Sequence, residues 1–236
     1  MQIDLKSVIV DNDTGKMMDY FGMSYITPSQ IQDDLKQANG QDIQLNIASE
    51  GGDVFAASEM YTMLKMYSGK VTGVIQGMAA SAATIVAEAC DHLMISPAGQ
   101  MMIHKASFDP GPGNADDMNH NSIVLDKVDQ TIAGIYQAKT GKSMNDLINL
   151  MKNETQLTAK EAVDQGFADE VMFQNEQAPR VVNSRVSLPS KQAVNRFLKL
   201  INNVDTQKIT DKRDKSQYVD DLFLRKLKIM QGDKDA

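Results

Sequence analysis

Histidine is the side chain whose ordinary titration lies nearest neutral pH, and this sequence has three, His92, His104 and His120. His104 follows the apolar run Met101-Met102-Ile103, so a strand places its ring. His92 opens another short apolar segment, and His120 falls in the opening of a long helix. Both are explained as surface or helix-end residues. His104 is therefore the candidate general base, although a lone histidine after a strand also serves structural roles.

A base needs a nucleophile. Ser81 lies in Gly77-Met78-Ala79-Ala80-Ser81-Ala82-Ala83. A serine hydroxyl attacks only when a neighbouring base takes its proton. At the first turn of a helix it would sit beside free backbone N–H groups and the positive end of the helix dipole. The small residues around it let a substrate backbone approach. Read alone, the segment fits a helix capped by serine better than a nucleophile. It is not the Gly-x-Ser-x-Gly elbow. Gly51-Gly52, directly after a strand, offers N–H groups that a Cβ would not obstruct, suited to an oxyanion or simply to a tight turn. Serine–histidine chemistry also needs a carboxylate to orient the ring, and the residues alone select none.

Other chemistries find less support. The chain lacks His-Glu-x-x-His, and Cys90 is its single cysteine, so no metal and no cofactor is expected. Gly141-Lys142-Ser143 resembles the end of a phosphate loop, but Tyr136 stands where the loop needs glycine, and a helix precedes it.

The elements that must position these residues alternate. Met1–Val10 reads as a strand. Thr27, Pro28 and Gln30 form a capping-box start for a helix ending near Asn39-Gly40. Strands are expected over Ile43–Ile47 and Val71–Gln76, with a helix from Val54 to Tyr67 between them. A small-residue helix runs from Ser81 to about Cys90, followed by short apolar segments His92–Ile95 and Met101–His104. A long helix spans Asn119–Lys139, with Leu125, Val128, Ile132 and Ile135 at three- and four-residue steps. Ser143 and Asp146 open another helix, and Thr158 and Glu161 cap a third that ends at Gly166. This order predicts an α/β fold with helices on parallel strands, whose ligands lie at the strands' carboxyl ends. Both glycine-containing strand-to-helix junctions, Ser49–Gly52 and Gln76–Ser81, are at such ends.

Composition bounds the rest. In 236 residues, 42% are hydrophobic and 23% charged, the balance of a globular protein. No apolar run is long enough to span a bilayer and the N-terminus lacks signal-peptide order, so no membrane association and a cytoplasmic location are expected. The net charge of −7 is uneven: residues 1–172 carry −12, and residues 173–236 carry +5. The acidic body argues against nucleic acid as a ligand. The division predicts one domain over 1–172 and a basic, helical extension over 173–236, with helices at about Ser190–Asn202 and Tyr218–Gln231.

Four segments, in order, resemble the proteolytic subunit of Clp proteases over about Gln41 to Val171. They are Ala48-Ser49-Glu50-Gly51-Gly52-Asp53-Val54, Gly77-Met78-Ala79-Ala80-Ser81, Met102-Ile103-His104 and Leu157–Asp169. The resemblance is closest to the phage and prophage versions that act in capsid maturation. It implies a ClpP/crotonase-like fold of repeated β-β-α units with a long interlocking helix. It implies Ser81 as nucleophile, His104 as base, Glu154 as the third member of the triad, and the N–H groups of Gly52 and Ala82 as the oxyanion hole. Glu154 stands where the housekeeping enzymes have aspartate, and Glu50 stands where they have proline. The resemblance further implies polypeptide substrates, a homo-oligomeric ring or double ring, expected to be heptameric, and a Clp ATPase or a phage capsid or scaffold protein as partner. Two other readings are a crotonase-like enzyme acting on acyl-CoA, which needs no serine–histidine pair, and a ring-forming scaffold without activity.

Overall fold

The structure, a computed structural model of the chain, describes residues 1–108 and 111–173. The expected C-terminal helices lie outside the described residues.

The expected first strand is two: β1 (Gln2–Leu5), which buries Ile3 and Leu5, and β2 (Val8–Ile9). An additional helix follows, α1 (Asn12–Tyr20), capped by Asp11, whose carboxylate accepts from the N–H groups of Asp13 and Thr14. After β3 (Tyr25–Ile26) comes α2 (Pro28–Ala38). Its capping box forms as expected between Thr27 and Gln30, and Asn39 ends it in the left-handed region at φ 47°. β4 (Ile43–Ser49) leads through the two glycines to α3 (Val54–Met66), capped by Asp53 on the Ala56 N–H.

β5 (Val71–Ala80) outruns its expected end at Gln76 by four residues and leads to the short α4 (Ala82–Ala87). β6 (His92–Ile95) and β7 (Gln100–Ile103) flank a tight turn. The long helix α5 (Ala115–Thr140) begins four residues before its expected start, because Asn114 and Asp117 form a capping box ahead of the apolar stripe. α6 (Met144–Lys152) is capped by Ser143, and Gly141 closes α5 at φ 70°. The Gly-Lys-Ser segment is therefore a helix–helix corner. β8 (Thr155–Thr158), α7 (Ala159–Asp164) and β9 (Glu170–Val171) complete the described chain.

Seven strands form one sheet, with β1, β4, β5, β6 and β9 adjacent in that order and parallel. β4 is buried along most of its length, as a parallel strand covered by helices on both faces must be. β5 is long enough to serve two partners. Its first half pairs with β6, and Met78–Ala80 pair with Gln100–Met102 of β7. β8 joins β7 antiparallel. The extra residues of β5 matter most for chemistry, since they carry Ser81 to the side of β7 and its following histidine.

Candidate active site

Ser81 is the residue at which β5 becomes α4. Its backbone adopts φ 55°, ψ −127°, a conformation that non-glycine residues adopt at a cost of order 1–3 kcal/mol. Its N–H donates to the Met102 carbonyl at 2.8 Å, which ties the strand end to β7. The side chain makes no cap bond to its own helix. Instead Ser81 Oγ lies 2.6 Å from His104 Nε2. With the ring proton on Nδ1, the hydroxyl donates to Nε2, the arrangement a general base requires. Parallel pairing explains the meeting. Ala80 is level with Met102, so the strand ends present residues 81 and 104 side by side.

The glycines are held against the same point. Ile9 donates to the Gly51 carbonyl and accepts from the Asp53 N–H, both at 2.8 Å. This leaves the Gly52 N–H with no acceptor among the described residues. Gly52 has φ 144°, and a Cβ there would lie 2.0 Å from the Ile9 carbonyl oxygen. A Cβ on Gly51 would lie 2.8 Å from the Ala82 nitrogen and 2.9 Å from Ser81 Cβ. Only glycine lets the turn approach the serine this closely. Ala82, at the first position of α4, has an N–H with no partner within its helix.

A cleft of about 70 Å³ opens on these groups. Gly52, Ser81, Ala82 and His104 form one side, while Val54, Ile85, Ala106, Ile132 and Tyr136 form an apolar wall. That wall is fixed from behind: the Tyr136 hydroxyl lies 2.6 Å from Thr84 Oγ1, and Tyr136 packs edge-to-face on Phe167 with centroids 5.6 Å apart. Burial pushes the Tyr136 hydroxyl well above its usual range, so it stays protonated.

Lys105 and Asp129 were not singled out from sequence. Lys105 also lines the cleft, and its ammonium lies 2.9 Å from Asp129 Oδ2. The hydrogen bond to Asp129 holds Lys105 above the ordinary lysine range, so it is a poor rival to His104 as base. A signal for Asp129 existed. It is a carboxylate four residues after Leu125 and three before Ile132, inside the apolar stripe of the long helix.

Glu154 sits in the turn that leads into β8, with φ 49°. The antiparallel ladder ends with Ile103 opposite Thr155, so His104 follows its last residue on β7 and Glu154 precedes its first on β8. Glu154 is exposed, and its carboxylate makes no hydrogen bond to His104. The structure thus brings Ser81, His104, Gly52 and Ala82 together, while Glu154, in the turn before β8, makes no bond to His104. His92 lies elsewhere, between Asp169 and Glu170 at 3.7 and 3.5 Å, and His120 is exposed on α5.

Comparisons with known proteins point to one family. Over 137 residues, 57% of this chain and 71% of the relative, the chain is 31% identical to the ATP-dependent Clp protease proteolytic subunit 1 of Chlamydia abortus. Over 165 residues, 69% of this chain and 83% of the relative, it is 28% identical to the ATP-dependent Clp protease proteolytic subunit of Streptococcus agalactiae. A solved point mutant of ClpP1 from Listeria monocytogenes shares the fold with a TM-score of 0.59 at 19% identity, over 72% of this chain and 90% of that one. Residues 31–175, more than half the chain and including every residue of the cleft, match the family model described as Clp protease, and the chain belongs to that family.

Proposed function

We propose that this chain is a serine endopeptidase that cleaves unfolded or flexible polypeptide segments through an acyl-enzyme on Ser81. The observation that carries the reading is the 2.6 Å contact between Ser81 Oγ and His104 Nε2 beside two unengaged backbone N–H groups.

The steps follow from the geometry. A peptide carbonyl enters with its oxygen toward the N–H groups of Gly52 and Ala82. His104 Nε2 takes the Ser81 proton as Oγ bonds to the carbonyl carbon. The negative charge that develops on oxygen meets the two N–H donors, each of which contributes roughly 3–4 kcal/mol in comparable sites. The intermediate collapses, the C–N bond breaks, and His104 returns the proton to the leaving amine. Water then repeats the sequence in reverse order of roles, releasing the acid and Ser81. Glu154 is the proposed carboxylate for His104 Nδ1. It directly precedes β8 as His104 directly follows β7, at the end of the ladder that pairs those strands, and catalytic contacts are often loose before substrate binds. The apolar wall of Val54, Ile85, Ile132 and Tyr136 receives an uncharged side chain on the acyl side of the scissile bond.

The relatives named above are ATP-dependent, and this chain carries no phosphate loop. A separate Clp ATPase as the feeding partner, a cytoplasmic location and a phage-type role in capsid maturation belong to the same proposal. So does a homo-oligomeric ring. It is supported by α5, whose C-terminal half buries Ile132, Ala133 and Tyr136 while Met118, Ile123 and Val124 of its N-terminal half are exposed.

Labelling with a serine-directed fluorophosphonate tests the reading. Wild type should be modified at Ser81 and hydrolyse a fluorogenic peptide, and Ser81→Ala should lose both. A wild type that is neither labelled nor active, yet assembles, would leave the ring-scaffold reading in its place.

A further inference from the structure

His104 lies one residue beyond β7, and the segment it opens, residues 104–107, has no strand of its own. It nevertheless carries the base and part of the cleft wall. The sheet brings its first residue beside Ser81, and contacts outside the sheet must fix the rest. Among the described residues, the Ala106 N–H has one acceptor, Asp129 Oδ1 at 2.8 Å, and Asp129 Oδ2 takes the Lys105 ammonium at 2.9 Å. Asp126, one helical turn earlier, lies 3.6 Å from the same ammonium. Asp129 itself is 2% exposed, on a turn of α5 whose neighbours Ile132 and Ala133 are in the core.

A buried carboxylate is costly unless its lone pairs are engaged. Here both oxygens are engaged, and by the two residues that follow His104. We propose that Asp129 is a positioning residue for the general base: it ties the Lys105 ammonium and the Ala106 N–H to α5 and so holds His104 Nε2 on Ser81. The inference rests on the serine-peptidase reading above. Asp129 does not touch the reacting atoms. It acts through the chain segment, so the seating of α5 sets the reach of the base.

The alternative is that Asp129 merely stabilises the fold, and the two separate experimentally. In Asp129→Ala the anchor is lost, and His104 swings relative to Ser81. A misplacement of about 1 Å in such a constellation costs on the order of 10²-fold in rate. Fluorophosphonate labelling of Ser81 and kcat should therefore fall about that far, while KM for a short peptide stays within about threefold because Val54, Ile85, Ile132 and Tyr136 of the wall do not depend on the anchor. Asp129→Asn keeps an oxygen for the Ala106 N–H and should recover most of kcat. Unchanged labelling in a folded Asp129→Ala protein overturns the proposal and leaves the peptidase reading standing. So does an Asp129→Asn protein as slow as Asp129→Ala.

Amide exchange in the wild-type protein, read at Ala106, needs no variant and no activity. Strong protection is expected, and exchange at the rate of an open amide overturns the anchor even if the alanine variant fails to fold. Should wild type prove unreactive to the phosphonate, the peptidase reading fails separately. The anchor is then judged by Ala106 protection and by the histidine ring nitrogen resonances in wild type and Asp129→Asn, which must match if Asp129 holds the ring.

Discussion

Ser81 occupies a backbone conformation that favours glycine, yet its hydroxyl is spent on a histidine rather than on capping its own helix. Strain kept at a residue with an activated partner is a mark of a working site. The surrounding glycines carry a matching prediction. Gly52→Ala would drive a Cβ into the Ile9 carbonyl, so the turn must move. We expect kcat to fall about 10²–10³-fold, the loss typical of a removed oxyanion donor, with His104 still on Ser81. Peptidase kinetics alongside thermal unfolding would measure it, and a fall in stability without a fall in kcat would remove Gly52 from the oxyanion hole. Glu154 carries a second prediction. If it orients His104 during turnover, Glu154→Gln lowers kcat by roughly 10²–10⁴-fold, as loss of the orienting carboxylate does in other triads. A Glu154→Gln enzyme with wild-type kcat would show that His104 works without it.

Among the elements, α4 has an unusual feature at its far end. Glu88, its C-cap, is 3% exposed, and neither carboxylate oxygen has a hydrogen-bond partner among the described residues. Burial raises the Glu88 carboxyl well above the ordinary range, against the opposing pull of Lys139 and Lys65. Cys90, two residues on, is pushed up to about 12, by burial first and then by Glu88. The folded state therefore holds a proton that the unfolded state releases above about pH 4.3. The pH dependence of stability has a definite sign: the Glu88 contribution falls as pH rises through the window above that value. Asp169 works the other way. Partial burial pushes it up, but Lys139 and the Leu93 N–H hold it below the usual range, so its contribution is lost as pH falls. Glu88→Met should stabilise the protein by about 1–3 kcal/mol at neutral pH, the cost of an unsatisfied buried group, and by less near pH 4. Urea unfolding from pH 4 to 8 would check it, and an equal difference at every pH would disprove the titration account.

For the molecule as a whole, the long helix α5 does two jobs. Its last turns complete the cleft wall and place Asp129, while its first turns project exposed apolar residues. An amphipathic helix with an uncovered apolar stripe is expected to find a partner surface. If α5 joins subunits in the proposed ring, Ile123→Asp should reduce the assembled mass without lowering the stability of the subunit by more than about 0.5 kcal/mol. Native mass spectrometry of wild type and variant would decide, and an unchanged assembly would place the contact elsewhere.

How far the sequence carried follows from the range of each interaction. Capping boxes at Thr27–Gln30 and Thr158–Glu161, the close of α5 at Gly141 and the alternation of strands and helices are local, and they were legible residue by residue. The ordered motifs also pointed to Ser81, His104 and Gly52 through their resemblance to Clp proteases. Local chemistry could not separate a nucleophile from a helix cap at Ser81, because both need a hydroxyl at a helix start. Tertiary structure brings that hydroxyl to His104 and leaves it making no cap bond, through the four extra residues of β5 and the register that sets Ala80 level with Met102. The same holds for Asp129, whose partners lie 23 and 24 residues away, and for β8, a strand only because β7 offers it an edge. Sequence determined which elements form and which residue types could react. The pairing of strands, a long-range choice invisible to any short window, determined which of those residues meet.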